Sequence, residues 1–306
     1  MHHDSLTRYE LDVQGMARHA FYHLPPGEAP AGGWPLVVAL HGGGSTPRGM
    51  LHFTQLTREA DRHGFIVLMP AGTGPSQEFL TWNAGRCCGH AARRQTDDIA
   101  FLATLLDDAL ARWKVDPGRV YATGISNGGM MCYRAAAELN DRFAAIAPVA
   151  GALVCDPPLL ERGVPAIHFH GTSDEFVPYA GGRGARSLRR VDFPSVADSL
   201  SRWRTACRFD PAFDESLLFS GKEAASSQEW SPMADRHLTV TRIVHARHDE
   251  ADTLVEIRIV GGGHTWPGVA PPLPMMGPTL MSLSASDMIW EFFSQFTLGQ
   301  PDGARG

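Results

Sequence analysis

The stretch from Arg119 to Leu139, RVYATGISNGGMMCYRAAAEL, constrains the rest of the chain. Val120, Tyr121, Ala122 and Thr123 suit a buried parallel strand. From Gly128 to Leu139 the residues are mostly Ala, Met, Arg and Glu, which favour helix. Between them lies Gly124-Ile125-Ser126-Asn127-Gly128, a G-x-S-x-G pentapeptide. On a strand–turn–helix, such a turn strains its central residue, and the small residues two before and two after let the backbones pass. Ser126 Oγ is then expected above the carboxyl edge of a parallel sheet, in reach of a base. The bare pentapeptide arises by chance in roughly one chain in five of this length. Its weight therefore comes from its surroundings: a suitable acid and a suitable histidine follow it in order.

The elements around it alternate. Arg8–Val13 and Met16–His23 read as an antiparallel hairpin turning at Gln14-Gly15. Pro35–Leu40 reads as a buried strand, Leu51–His63 as a helix capped by Gly64, and Phe65–Met69 as the next strand. Thr96–Val115 has a clear apolar stripe, Ile99, Leu102, Leu105, Leu106, Ala109, Leu110 and Trp113. Phe143–Val149 and Pro165–His170 follow as strands. From Leu36 to His170 the order strand, helix, strand, helix, strand, helix, strand predicts a right-handed parallel α/β sheet. Ser195–Ala206 reads as helix, Leu238–Ala246 and Thr253–Val260 as an antiparallel or edge pair, and Ser286–Phe296 as the last helix. Arg208–Arg236 has no clear period. At 306 residues the chain is read as one catalytic domain over 1–306, with a core of about 8–298.

Composition narrows the partners. Hydrophobic content of 43% and charged content of 20% are those of an ordinary globular protein. A net charge of −6 gives no reason to expect nucleic acid or an anionic membrane. Phe143–Val154, the most apolar stretch, is too short to span a bilayer and contains Pro148 and Gly151. MHHDSLTRYELDV lacks the basic start and apolar run of an export signal. A cytoplasmic protein is expected, or a secreted or periplasmic one if a leader lies outside this sequence. Five cysteines, Cys87, Cys88, Cys132, Cys155 and Cys207, argue against a full disulfide framework and leave the pairing open. No CxxC pair occurs. His168 and His170 share one face of a strand with no third ligand, so they read as core or supporting histidines, and no metal site is expected.

The remaining chemistry sits where the predicted strands end. His41-Gly42-Gly43-Gly44 follows the first parallel strand, and its glycines expose backbone N–H groups. The N–H groups of Gly43, or alternatively Gly44, and of Asn127 are the expected oxyanion donors. HGTSDE, after the strand AIHFH, offers Asp174 as the acid; a one-residue offset turns Glu175 away. Gly261-Gly262-Gly263-His264 follows the final strand and offers His264 as the base. Pro70–Arg94, a long irregular excursion, reads as a wall of the cleft. Trp82 within it and Trp266 beside the histidine are the expected substrate-stacking residues, core packing being the other reading of each. Thr265–Met281, rich in Pro and Met, reads as an apolar lip or a plain surface loop. The Arg183–Arg190 loop reads as a solvated basic loop or as a site for a substrate carboxylate or sugar.

LHGGG, TWNAG-CCG, DDIAFL, VYATGISNGGMM, HGTSDEFVPY and GGGHTWPG together resemble the polyhydroxybutyrate-depolymerase-like and feruloyl-esterase-like esterases. These belong to the α/β-hydrolase superfamily and are related to carbohydrate esterase family one. The resemblance runs from about Tyr9 to Phe296. It implies the α/β-hydrolase fold and a serine carboxylesterase with Ser126 as nucleophile, Asp174 as acid and His264 as base. No metal or organic cofactor is implied. The substrate class is a small or oligomeric ester: feruloyl or another aromatic or short acyl ester, with a 3-hydroxybutyrate oligomer or an acetylated xylan as the alternatives. Many members carry a signal peptide, which this sequence lacks. Outside the esterases, the competing readings are a serine peptidase and a non-catalytic binding protein of the same fold. Oligomeric state is left open.

Overall fold

In the inner strands alternate side chains leave opposite faces of the sheet, and here both faces are apolar. Leu36, Val38 and Leu40 join one core, and Val37 and Ala39 join the other. That pattern requires helices on both sides. The computed structural model, which describes residues 6–187, 191–221, 235, 237–248 and 251–299, has them.

The chain opens with the hairpin β1 (Thr7–Val13) and β2 (Met16–His23). Next come β3 (Trp34–Leu40), α1 (Pro47–Thr54), α2 (Leu56–His63) and β4 (Ile66–Pro70). The excursion after β4 holds the small hairpin β5 (Thr73–Ser76) and β6 (Phe79–Thr81), then the short helix α3 (Gly89–Arg93). α4 (Asp98–Arg112), β7 (Val115–Ile125), α5 (Asn127–Glu138), β8 (Ala145–Val149) and β9 (Ala166–Gly171) complete the alternating region. A two-residue ladder, β10 (Gly182–Arg183) with β11 (Asp192–Phe193), precedes α6 (Val196–Cys207). The chain closes with β12 (Asp210–Ser220), β13 (Thr239–His248), β14 (Ala251–Val260) and α7 (Ala285–Phe293).

Among the described residues the main sheet has ten strands in the order β1-β2-β4-β3-β7-β8-β9-β14-β13-β12. The six central strands, β4 to β14 in that order, are parallel, and an antiparallel pair closes each end. Phe101 of α4, Met131 of α5 and Trp203 of α6 fill one face. Leu51 of α1, Leu56 of α2 and Phe293 of α7 fill the other. Because β3, β7, β9 and β14 run the same way, the loops after them emerge at one edge of the sheet. Those loops carry His41–Gly44, Ser126, Asp174 and His264.

The structure departs from the sequence reading at three elements. The helix expected over Leu51–His63 is two helices, broken at Gln55, which adopts a left-handed φ of 54°. β13 and β14 are the antiparallel pair of the sequence reading but do not lie at an edge: β14 pairs in parallel with β9, and β13 lies on its far side. Arg208–Arg236 contains the strand β12, which pairs with β13 and forms the true edge.

The Pro70–Arg94 excursion is tied down throughout. Leu80 bridges to Ser45, and Arg86 N–H donates to Val154 O at 3.2 Å; Cys87 and Cys88 are paired with each other. Asn83 N–H donates to Asp98 Oδ2 at 2.8 Å, and Arg134 donates to the Asn83 carbonyl at 2.6 Å. Asp98 also accepts from Arg18 at 2.9 Å, with both side chains buried.

Candidate active site

Ser126 lies between β7 and α5 with φ 57° and ψ −122°, a region that L-residues rarely occupy. The packing that enforces this is visible at the glycines. A Cβ on Gly128 would lie 2.1 Å from the Leu40 carbonyl oxygen, and one on Gly124 would lie 2.6 Å from it. The turn is therefore as tight as the pentapeptide predicts. From Val120 to Tyr133 every residue is buried except Ser126. Ser126 N–H donates to Val149 O, which anchors the turn on β8. Its Oγ makes no hydrogen bond among the described residues.

His264 lies between two backbone ties: its own N–H donates to Met276 O at 2.7 Å, and Gly263 N–H to Pro278 O at 2.8 Å. Its Nδ1 is 2.7 Å from Asp174 Oδ2. The pair is buried, and the Phe176 ring stacks on the imidazole at 4.9 Å. Asp174 Oδ1 accepts from the N–H groups of Phe176 and Val177 at 2.8 and 2.9 Å. Burial acts to raise the Asp174 pKa, but His264 and His170 beside it outweigh that and hold the carboxyl well below the usual range. An ionised Asp174 accepting from Nδ1–H leaves His264 Nε2 as the free basic nitrogen. Ser126 and His264 share the carboxyl edge without a direct hydrogen bond, a spacing common before substrate binds. Glu175 is exposed and pairs with Arg186.

The glycine loop meets the elbow directly. A Cβ on Gly42 would lie 3.7 Å from Ser126 Cβ, and one on Gly43 would lie 3.3 Å from Asn127 Cβ. Gly44 N–H donates to Leu80 O at 2.7 Å and is committed, whereas among the described residues no acceptor takes the Gly43 N–H. Asn127 is the first residue of α5, where N–H groups lack intrahelical acceptors. His41 fixes the loop. Burial pushes its pKa down to about 4, so the ring is neutral at pH 7. Nε2 accepts from Gly72 N–H at 3.0 Å, so Nδ1 carries the proton and donates to Gly42 O at 2.8 Å. Pinning that carbonyl fixes the Gly43 N–H on the opposite side of the planar peptide.

The two tryptophans are corrected by the structure. Trp82 and Trp266 are both 0% exposed. Trp82 Nε1 donates to His41 O, and its backbone N–H and carbonyl pair with the Asn127 amide side chain. Trp266 Nε1 donates to Ser286 Oγ, which donates in turn to Thr54 O. Both indoles are core anchors beneath the site, and neither presents a face to substrate. The aromatic rings at the mouth are Phe79 and Phe176. Phe79 is 44% exposed, and its ring lies against Gly44. Nothing in sequence spacing marks either one. Leu273 and Met275, on the chain that holds His264 in place, are also exposed, as both the lip and the surface-loop readings expect. In the basic loop, Arg183 pairs with Asp192 and Arg186 with Glu175; Arg189 and Arg190 lie outside the described residues. No described helix is long and apolar enough to cross a membrane.

Comparison with known proteins agrees with this architecture. Residues 18–158 match the family described as "Esterase PHB depolymerase". NocK of Nocardia uniformis subsp. tsuyamanensis, named as an esterase, is 31% identical over 298 residues, covering 94% of this chain and 82% of NocK. The bifunctional acetylxylan esterase/xylanase XynS20E of Neocallimastix patriciarum is 28% identical, covering 96% of this chain but 35% of that longer protein. In fold, an acetyl xylan esterase from Aspergillus awamori superposes with a TM-score of 0.58 at 15% identity, over 94% of this chain and 99% of that one. The chain belongs to the polyhydroxybutyrate-depolymerase-type esterases, carboxylic ester hydrolases of the α/β-hydrolase fold.

Proposed function

We propose that this esterase works through an acyl-enzyme on Ser126, with His264 as general base and Asp174 as its orienting acid, on esters of aromatic or other short acyl groups of feruloyl type. The observation that carries the mechanism is the buried 2.7 Å contact of His264 Nδ1 with Asp174, on the same sheet edge as the strained Ser126. His264 Nε2 takes the Ser126 proton as Oγ attacks the ester carbonyl, while Asp174 stabilises the imidazolium. The oxyanion accepts from the Gly43 and Asn127 N–H groups; one such donor is worth ~3–4 kcal/mol in the transition state. His264 then protonates the leaving alcohol, and water repeats the sequence to free the acid.

The acyl preference is supported by Phe79 beside the oxyanion loop and Phe176 on the His264 ring. Together they offer aromatic surface on two sides of the reacting carbonyl. The name of XynS20E favours a second reading, acetyl esters of xylan; that of the family favours hydroxyalkanoate oligomers.

The test is hydrolysis of methyl ferulate, an acetylated sugar and a 3-hydroxybutyrate oligomer by the parent and by Ser126→Ala. Preference for methyl ferulate, lost in the variant and weakened about tenfold in KM by Phe79→Ala or Phe176→Ala, supports the whole reading. Preference for either other ester overturns the acyl group. Activity retained by Ser126→Ala overturns the mechanism.

A further inference from the structure

Beside Asp174, reaching the same carboxylate oxygen that meets His264, runs a buried line of three more side chains that the mechanism does not use. Tyr133 on α5 has its hydroxyl 3.1 Å from His168 Nδ1. His168 Nε2 is 3.1 Å from His170 Nδ1. His170 Nε2 is 2.8 Å from Val177 O and 3.4 Å from Asp174 Oδ2. Tyr133, His168 and His170 are all buried. The line starts on the helix that follows the nucleophile and ends at the acid.

Its proton arrangement follows from its far end. His170 Nε2 faces two oxygens that only accept, a carbonyl and a carboxylate, so that nitrogen carries a proton. In a neutral ring, Nδ1 is then the acceptor. His168 must donate to it from Nε2, which leaves His168 Nδ1 to accept from the Tyr133 hydroxyl. Every donor and acceptor is satisfied with both rings neutral, and the hydrogen bonds run from Tyr133 to His170 Nε2, which donates to Val177 O with Asp174 Oδ2 3.4 Å away. The reverse direction would set a bare lone pair of His170 against two oxygens. Burial pushes the His168 pKa down to about 3, in keeping with a neutral ring. Burial likewise keeps the Tyr133 hydroxyl protonated. Bonds aligned head to tail in a dry interior polarise one another.

We propose that His170 is a positioning residue for the reaction, holding Asp174 Oδ2 in line with His264, with its tautomer set by His168 and Tyr133. The inference rests on the assignment of Ser126, Asp174 and His264 above. The strand pattern alone puts two histidines on one face; the structure shows that they are in series and aimed at the acid. Other groups face the line from each packed element. Cys132 comes from α5 and Cys207 from α6. Glu256 of β14 is opposite His168 in register. Glu256 is itself engaged by His245 of β13, by Arg258 and by Tyr179. Tyr179 also meets His170 edge to face at 5.9 Å. The carboxylate nearest His168 is therefore already occupied, which leaves the line its neutral state.

The test compares pH profiles of kcat and KM for the parent, His170→Leu and His170→Gln, with Asp174→Asn as the reference for the triad. Gln keeps a donor near the position of Nε2; Leu keeps only bulk. The Leu variant is expected to lose about 10- to 100-fold in kcat, the scale of a misplaced catalytic group. Its KM should hold and its acid limb should move. Gln should recover most of the loss. Unchanged kcat and acid limb in the Leu variant, with Asp174→Asn inactive, overturn the proposal and leave the triad standing. An active Asp174→Asn overturns the triad instead. If His170→Leu does not fold, two measurements still decide. Tyr133→Phe, which removes one hydroxyl, should move the acid limb, and an unmoved limb counts against the line. Nitrogen-15 NMR of the parent should find His168 neutral and protonated at Nε2 from pH 5 to 9; an Nδ1 proton on His168 or a titration of that ring in that range overturns the assignment.

Discussion

Two buried carboxylates in this protein are built alike and behave differently. Asp98 accepts from Arg18 at one oxygen and from the Asn83 N–H at the other. Asp174 accepts from His264 at one oxygen and from two backbone N–H groups at the other. Burial raises the pKa of Asp98, and the Arg18 charge and the Asn83 N–H only partly oppose it. At Asp174 the surrounding donors win, and the pKa is lowered. The partner decides what each acid does. Arg18 keeps its charge throughout the working range and leaves Asp98 nothing to do but hold the cleft wall to the sheet. In the proposed mechanism His264 takes up the Ser126 proton, and Asp174 stabilises it there. An anchor and a working acid differ less in their own surroundings than in whether the group across from them can titrate.

Substitution at the two sites should separate these roles. Asp174→Asn is expected to lower kcat by about 10⁴-fold, the cost of the wrong histidine tautomer, with a smaller loss of stability than Asp98→Asn. A comparably large stability loss would mean that Asp174 is an anchor too. Asp98→Asn should do the reverse. It leaves Arg18 buried at 5% side-chain exposure without its counter-charge, which costs about 3–5 kcal/mol. The folded fraction should keep a near-parental kcat, and urea unfolding followed by active-site titration reads both quantities.

The dependence on pH should have opposite sign at the two sites. Asp174 has its pKa depressed on folding, so its contribution is present above the unfolded value of about 3.9 and is lost as pH falls through the folded value. Asp98 has its pKa raised, so its contribution is present below that value and is lost as pH rises through the folded one. The stability gap between parent and Asp174→Asn should therefore shrink on acidification. The gap between parent and Asp98→Asn should shrink as pH rises. Gaps that move in the same direction would dissolve the contrast. The smallest effect belongs to Glu175→Gln, one residue from Asp174. Its side chain is 55% exposed and paired with Arg186 on the surface, so a change below about 1 kcal/mol and an unaltered kcat are expected.

What could be read from sequence follows the same division between local and long-range causes. The elbow, the glycine loop and the order of Ser126, Asp174 and His264 were legible because each is a short pattern tied to the end of an apolar strand. β12 was not: DPAFDESLLFS is exposed on nearly every residue, so it lacks the buried face that produces alternation. The break at Gln55 was hidden because a left-handed residue is usually betrayed by glycine, and here it is glutamine. Trp82 and Trp266 misled for another reason. A tryptophan near a motif can stack on a ligand or plug the floor beneath it, and only the partner of its N–H distinguishes the two. Phe79 and Phe176 went unseen because what matters about them is the ring or glycine they lie against.

The crowding of backbone around the elbow bears on how this esterase can be altered. A methyl group at Gly124, Gly128, Gly151, Gly171 or Gly263 would strike main-chain oxygen at 2.1 to 2.7 Å, and main chain cannot step aside as a side chain can. These positions form a frame that tolerates no trial and error. Phe79, Leu273 and Met275 are exposed side chains around that frame, free to be exchanged without disturbing it. A laboratory lineage seeking new esters should leave the glycines untouched and vary the rim.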